Sequence, residues 1–126
     1  MRLDHVNIRT ANLEEMRRWY VSVLGLKEGW RPPFAFPGAW LYAGPDPIVH
    51  LVGVERAPSA DEADLRLEHF AVQGDDLEAL RARLEAGGVP SREARVPGTG
   101  TLQVNIHDPD GNHIHVDFRV GQDGGE

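Results

Sequence analysis

The chain has 126 residues, of which 40% are apolar and none is cysteine, and its formal net charge is −7. This length fits one ordinary globular domain with a core of its own. The acidic balance argues against nucleic acid and anionic membranes as partners, because both need a basic protein surface. Without cysteine, any metal ion would have to be bound by imidazole or carboxylate groups.

The sequence also predicts the location of the protein. No apolar run approaches the length of a membrane-spanning helix, and no cationic and apolar leader opens the chain. We therefore expect a cytoplasmic protein that does not enter a membrane.

The first half of the chain predicts the element order βαβββ. Residues 3–9 alternate between two faces, as a strand does. Asn12 and Glu15 fit a capping box, and an apolar stripe predicts a helix over residues 13–24 that stops at Gly25. Three short strands are predicted next, over residues 27–30, 39–42 and 48–52.

The second half predicts the same order after a linker. The linker is the polar, proline-containing segment 55–64. A strand over 67–72 follows it, and then a helix that starts at Asp75 or Asp76 and stops at the pair Gly87 and Gly88. Three more strands are predicted over residues 91–95, 101–107 and 113–119. The prediction is one domain over residues 1–120, with modules at about 2–54 and 65–119 and a flexible tail over 121–126.

An internal repeat underlies this organisation. His5–Arg17 aligns with His69–Arg81 at a shift of 64 residues, and Trp40–Leu51 aligns with Asn105–Val116 at a shift of 65. Two copies with so long a period indicate a duplicated supersecondary unit rather than a solenoid.

Four of the six histidines fall at matching places in the two copies, namely His5, His50, His69 and His115. Neutral imidazole is a good ligand for divalent transition metals. A single histidine on a strand is more often a hydrogen-bonded or exposed residue, and this alternative applies to His107 and His113. Because the other four are related by the repeat, we expect them to bind one divalent ion, which could be zinc, nickel, iron or manganese.

Other polar side chains on the histidine-bearing faces of the predicted strands are candidates for orienting a small, oxygen-rich substrate, with plain solvation as the alternative for each. They are Asn7, Arg9, Tyr42, Gln103, Asn105 and Asp117. The segment Trp30–Trp40 combines four aromatic residues with prolines. It is predicted to be either an apolar rim over the site or an edge that packs on a dimer partner.

Several segments together resemble the vicinal oxygen chelate superfamily, the group of glyoxalases, bleomycin-resistance proteins and extradiol dioxygenases. They are Leu3–Ile8, Tyr20–Leu26, Leu67–Val72, Leu77–Val89 and Asp108–His115. The resemblance implies an α+β fold in which two βαβββ modules form a cup-shaped mixed sheet around a divalent metal. It also implies a homodimer, a small substrate with vicinal oxygens, and metal ligands at His5, His50, His69 and His115.

The chain departs from the family pattern at two ligand positions. Metal-binding members usually have glutamate at the position of His115, and the glyoxalase I type also has it near His50. The expected base for proton abstraction is therefore missing, and the catalytic residues are not identified. The resemblance leaves two functions open: a metal-dependent lyase, isomerase or ring-cleaving dioxygenase, or a protein that sequesters a small molecule such as a drug without chemistry.

Overall fold

A computed structural model describes residues 1–58 and 66–121 of the chain. The chain divides into two compact units, Met1–Ala60 and Asp61–Glu126, which we call unit 1 and unit 2. Residues 55–58 of the predicted linker lie outside helices and strands. The rest of that linker, and the predicted tail beyond residue 121, fall outside the described residues.

Unit 1 has the predicted βαβββ order. Its elements are β1 (Val6–Thr10), α1 (Leu13–Ser22), β2 (Lys27–Gly29), β3 (Gly38–Ala43) and β4 (Asp46–Gly53). The four strands form one sheet in the order β1-β4-β3-β2. Strands β1 and β4 are parallel, and the other neighbours are antiparallel. The first and last strands of the module therefore lie side by side.

Unit 2 repeats this arrangement. Its elements are β5 (Phe70–Gln73), α2 (Leu77–Gly87), β6 (Arg92–Val96), β7 (Thr101–His107) and β8 (His113–Arg119). The sheet order is β5-β8-β7-β6, with β5 and β8 parallel. The prediction of an α+β fold built from two βαβββ modules is confirmed.

Each sheet has one apolar face, which forms the core of its unit. In unit 1 the buried apolar side chains are Met16, Tyr20, Val23, Leu26, Ala39, Leu41, Val49 and Leu51. In unit 2 they are Leu80, Leu84, Leu102, Val104, Ile106, Ile114, Val116 and Phe118. Because side chains alternate along a strand, the residues between these buried ones project from the opposite face of the sheet. That second face carries the polar groups in both units.

An arginine ties helix to sheet in the same way in both units. In unit 1, Arg17 of α1 donates to Glu28 of β2 with N···O distances of 3.1 and 2.9 Å. In unit 2, Arg81 of α2 donates to Glu93 of β6 at 2.9 and 2.7 Å. The duplication thus extends to individual ion pairs.

The structure corrects several predicted boundaries. Helix α1 ends at Ser22, with Val23 as its C-cap, two residues before the predicted end. Strand β1 begins at Val6 and β5 at Phe70, so His5 and His69 lie directly before these strands rather than inside them. Among the described residues, no helix is long and apolar enough to cross a membrane.

Candidate metal centre

Unit 1 brings two of the predicted ligands into contact. His50 lies in β4 and is 7% exposed, and His5 precedes the neighbouring strand β1. Their imidazole rings stack with centroids 3.9 Å apart and an interplanar angle of 11°. Trp40 of β3 also stacks on His50, with centroids 4.0 Å apart. We call these two histidines the His5–His50 pair.

One ring nitrogen of each histidine in the pair is held by a protein oxygen. Nδ1 of His5 donates to the Asp4 carboxylate at 2.7 Å, and Nε2 of His50 donates to the Pro47 carbonyl at 3.0 Å. Within the described part of the chain, Nε2 of His5 and Nδ1 of His50 have no hydrogen-bond partner. Each imidazole therefore has one fixed N–H and one nitrogen available to a ligand.

The electrostatics of the pair favour neutral imidazole at His50. Burial lowers the pKa of His50, the positive charge of a protonated His5 lowers it further, and the hydrogen bond to Pro47 opposes both. The hydrogen bond from His5 lowers the pKa of the Asp4 carboxyl, which therefore stays ionised beside it. Neutral imidazole is the form that binds metals.

Unit 2 groups three histidines with a carboxylate, and we call Glu68, His69, His113 and His115 the unit 2 cluster. Glu68 accepts a hydrogen bond from Nδ1 of His69 and another, at 2.9 Å, from Nδ1 of His113. These two bonds, that from His69 first, lower the pKa of the Glu68 carboxyl. Glu68 therefore remains an anion that orients both rings.

His115 is the most buried member of the unit 2 cluster, at 6% exposed. Its Nδ1 donates to the Asp117 carboxylate at 2.6 Å. Its ring lies 4.3 Å from the ring of His69, centroid to centroid. As at His5, a carboxylate holds Nδ1 and leaves Nε2 available.

His113 belongs to this cluster although the sequence did not predict it as a ligand. Its Nε2 donates at 2.9 Å to Oδ1 of Asn105, whose amide nitrogen donates to the Arg92 carbonyl. Its ring stacks against His107, with centroids 5.1 Å apart. The signal that could have identified it is its position two residues before His115, on the same face of β8.

These donors suit a divalent transition metal. Glu68, His69 and His113 each have a candidate ligand atom, and the three atoms all lie within 4.8 Å of one another. To bind an ion, His113 would have to give up one of its hydrogen bonds to Glu68 and Asn105. Imidazole nitrogen together with carboxylate oxygen is the donor set of many zinc, nickel and iron sites. A hydrogen bond from the second ring nitrogen to a carboxylate is the usual support for a metal-bound histidine.

The predicted substrate-binding residues are spread over both units. Asn7 and Arg9 are exposed on β1, whereas the Tyr42 hydroxyl already donates to the Trp30 carbonyl. In unit 2, Asn105 and Asp117 hold His113 and His115, and Gln103 is half-buried on β7. Asn105 and Asp117 therefore position imidazole rings in the structure.

The aromatic segment of unit 1 is exposed. Trp30, Phe34 and Phe36 are 69%, 43% and 44% exposed. Phe34 and Phe36 stack with centroids 4.9 Å apart, and the Arg31 guanidinium lies about 5 Å from both rings. Trp30 makes an edge-to-face contact with Trp40, the residue that stacks on His50. An aromatic surface therefore adjoins the His5–His50 pair.

Several solved structures have the same fold as this chain. A glyoxylase/bleomycin resistance protein/dioxygenase domain from Frankia sp. EAN1pec has a TM-score of 0.77 at 18% identity, covering 94% of this chain and 98% of its own. A putative glyoxalase family protein from Bacillus anthracis has a TM-score of 0.75 at 20% identity, covering 94% and 95%. A lactoylglutathione lyase from Agrobacterium tumefaciens has a TM-score of 0.66 at 23% identity, covering 90% of each chain.

The sequence comparisons agree with the fold. No curated protein matches the chain. The family model described as Glyoxalase/Bleomycin resistance protein/Dioxygenase superfamily matches residues 2–116, which is most of the sequence. The chain belongs to the glyoxalase/bleomycin resistance protein/dioxygenase superfamily.

Proposed function

We propose that the protein is a divalent-metal-dependent enzyme that acts on a small organic substrate with vicinal oxygens. The reaction would be that of a lyase or isomerase, or the ring cleavage of a dioxygenase. The proposed metal ligands are His5, His50, His69 and His115. The metal is a divalent transition ion such as zinc, nickel, iron or manganese.

The observation that carries this proposal is the hydrogen bonding of the four imidazoles. Three of them donate Nδ1–H to a carboxylate: His5 to Asp4, His69 to Glu68 and His115 to Asp117. The fourth, His50, donates Nε2–H to a backbone carbonyl. A histidine held in this way presents the lone pair of its other nitrogen in a fixed direction, as a metal ligand requires.

When bound, the metal would act as a Lewis acid that polarises a carbonyl or enolate oxygen of the substrate. The chain's own residues would orient the metal ligands and contact the substrate. Asp4, Glu68 and Asp117 keep the three imidazoles in the ligand tautomer. The aromatic surface of Trp30 and Trp40 would contact an apolar part of the substrate.

Metal binding by ligand variants tests the proposal. The protein would be stripped with a chelator, reconstituted with zinc, nickel, iron or manganese, and analysed for bound metal by mass spectrometry. We expect tight binding of at least one ion, and we expect His5→Ala, His50→Ala, His69→Ala and His115→Ala each to bind it about tenfold or more weakly. The control is His107→Ala, because His107 is exposed and lies outside the proposed ligand set.

Failure of this test has a clear form. The proposal is wrong if the wild-type chain retains no metal, or if the four variants retain as much as the His107→Ala control. The protein would then be screened with catechols and 2-hydroxy carbonyl compounds while an oxygen electrode records oxygen uptake. This measurement separates a dioxygenase from a lyase or isomerase. Only a dioxygenase would consume oxygen.

Sequestration of a small molecule is the second candidate function. It is favoured by the exposed aromatic side chains of Trp30, Phe34 and Phe36 and by the net charge of −7, which would suit a cationic aromatic guest. In that case His69→Ala would lose metal and keep full affinity for the guest. An enzyme would lose both turnover and tight substrate binding.

Assembly and location are also proposals. We propose that the chain forms a homodimer in the cytoplasm, as the family resemblance suggests. Light scattering coupled to size-exclusion chromatography would give twice the chain mass of 14.0 kDa for a dimer. A monomer mass at micromolar concentration would contradict that assembly.

A further inference from the structure

Unit 2 has an open cavity at the opposite end of its sheet from His69, His107 and His113, and Asp117 is the lining residue that also holds a proposed metal ligand. Its volume is about 290 Å3, and its polar lining comes from Gln73, Thr101, Asp117 and Arg119. These residues lie on three adjacent strands, since β8 pairs with both β5 and β7. The volume is near the lower end of small-molecule sites, so it suits a ligand of a few carbon atoms.

Three of these side chains can donate a hydrogen bond, those of Gln73 and Arg119 from exposed positions and that of Thr101 from a half-buried one. Within residues 1–58 and 66–121, the side chains of Gln73, Thr101 and Arg119 make no hydrogen bond or ion pair. By contrast, Arg17 and Arg81 of the same protein each pair with two glutamates. A guanidinium, a hydroxyl and an amide around one cavity form a donor set suited to a carboxylate.

The internal repeat shows that the fold does not need charge at these positions. At the shift of 65 residues, Asp117 corresponds to Val52 and Arg119 to Val54. Both valines are half-buried in unit 1, whose sheet has the same strand order. Asp117 and Arg119 are therefore charged at positions where the same sheet in unit 1 has valine.

We propose that this cavity binds the carboxylate group of a small hydroxy acid, with Arg119 as its principal binding residue and Thr101 and Gln73 as supporting donors. Asp117 lines the same cavity and is an acceptor, so it favours a ligand with one negative charge and a hydroxyl over a multiply charged anion such as phosphate. The inference rests on the proposed function in one respect, because it assigns the substrate of that enzyme to the organic acids.

The geometry links the cavity to the proposed metal ligands. His115, Asp117 and Arg119 share one face of β8. The Cα atoms of His115 and Arg119 are about 13 Å apart, from the rise of a strand. Asp117 joins the two sites, because it lines the cavity and accepts the hydrogen bond from Nδ1 of His115 at 2.6 Å.

The test is equilibrium binding of glycolate, lactate and mandelate to the full chain, each compared with its uncharged amide. Calorimetry and nitrogen-edited NMR would be run on metal-loaded and chelator-treated protein, so that binding at Arg119 is separated from binding to the metal. We expect at least one acid to bind in both forms, its amide to bind about tenfold more weakly, and Arg119→Met to weaken the acid by a similar factor.

Two further variants make the result decisive. Arg119→Lys should recover part of the affinity, because it keeps the charge and loses the planar fork. Arg56→Met, at the cavity of unit 1, should bind the acid as wild type does. Equal binding of acid and amide, no binding of any acid, or an unchanged affinity in Arg119→Met would overturn the inference. If the chain binds no metal but still binds the acid through Arg119, the proposed function is wrong and the inference about the cavity stands.

Discussion

Nδ1 of His115 lies 2.6 Å from Oδ1 of Asp117, two residues farther along the same strand. An ionised carboxylate can only accept a hydrogen bond, so the imidazole carries its proton on Nδ1. His115 is 6% exposed, and its ring is therefore held both by packing and by charge. Through this bond, Asp117 sets the tautomer of a proposed metal ligand.

Replacing Asp117 by asparagine should weaken metal binding. Asparagine has the same shape, but a neutral amide holds the imidazole less strongly and does not raise its basicity. The expected loss is roughly 10- to 100-fold in metal affinity, measured by competition with a chromophoric chelator. Asp46→Asn, an exposed change at the start of β4, is the matched control. Equal affinities in the two variants would contradict this role.

Glu68 should affect metal affinity, because its carboxylate accepts hydrogen bonds from the rings of both His69 and His113. In Glu68→Gln one of the two carboxylate oxygens becomes an amide donor, so only one of His69 and His113 can keep its hydrogen bond. We expect metal affinity to fall about tenfold, with histidine ring resonances in NMR that shift for both residues. The exposed Glu85→Gln on α2 should change neither quantity. A shift confined to His69 would show that His113 does not depend on Glu68.

Trp40 should report metal binding by fluorescence. Its ring stacks 4.0 Å from that of His50, so a nickel or copper ion bound to His50 would quench its emission strongly. Trp40→Phe should remove most of the metal-dependent quenching. Trp30→Phe serves as the control, because Trp30 is exposed and, among the described residues, its ring contacts Trp40 and no histidine ring. Quenching that survives in Trp40→Phe would place the ion away from His50.

The Arg81–Glu93 pair should contribute to stability in a pH-dependent way. Hydrogen bonds from Arg81 lower the pKa of Glu93 from its ordinary value of 4.5. A carboxyl whose folded pKa is depressed contributes stability above the unfolded pKa, and this contribution is lost as pH falls through the folded pKa. Glu93→Gln should thus unfold at lower urea concentration than wild type at pH 7.

The difference in urea midpoint between Glu93→Gln and wild type should shrink as the pH falls below 4.5 and through the lower pKa of Glu93 in the folded protein, because the wild-type carboxyl then also becomes protonated. The measurement is a series of urea unfolding curves between neutral and acidic pH. Glu55→Gln, exposed and outside the helices and strands, should follow wild type throughout. A midpoint difference that stays constant with pH would show that the charge of Glu93 is not its source.

Much of the fold follows from the sequence, because duplication leaves a pattern that can be checked twice. The alignment of His5 with His69 and of His50 with His115 predicted two modules of the same order, and both sheets have that order. Gly88 adopts the left-handed conformation that ends α2, as its place after an apolar stripe predicted. Local patterns of this kind do not depend on distant residues.

The contacts of Glu68 could not be predicted in this way. Its hydrogen bond to His113 joins residues 45 positions apart, and no local pattern specifies such a pair. The start of β5 also depends on its neighbour, because β8 begins at His113 and the pairing begins at Phe70 with Ile114. His69 is left just outside the strand, where its ring can meet both Glu68 and His115.

X-ray absorption spectroscopy of the reconstituted protein tests the proposed metal centre most directly. The proposed ligands predict a divalent ion with mainly nitrogen neighbours at about 2.0–2.1 Å and the outer-shell scattering of at least three imidazole rings. In His115→Ala, the outer-shell scattering should lose the contribution of one imidazole ring. An ion surrounded by oxygen alone, or a spectrum that does not change in His115→Ala, would contradict a metal centre built from these histidines.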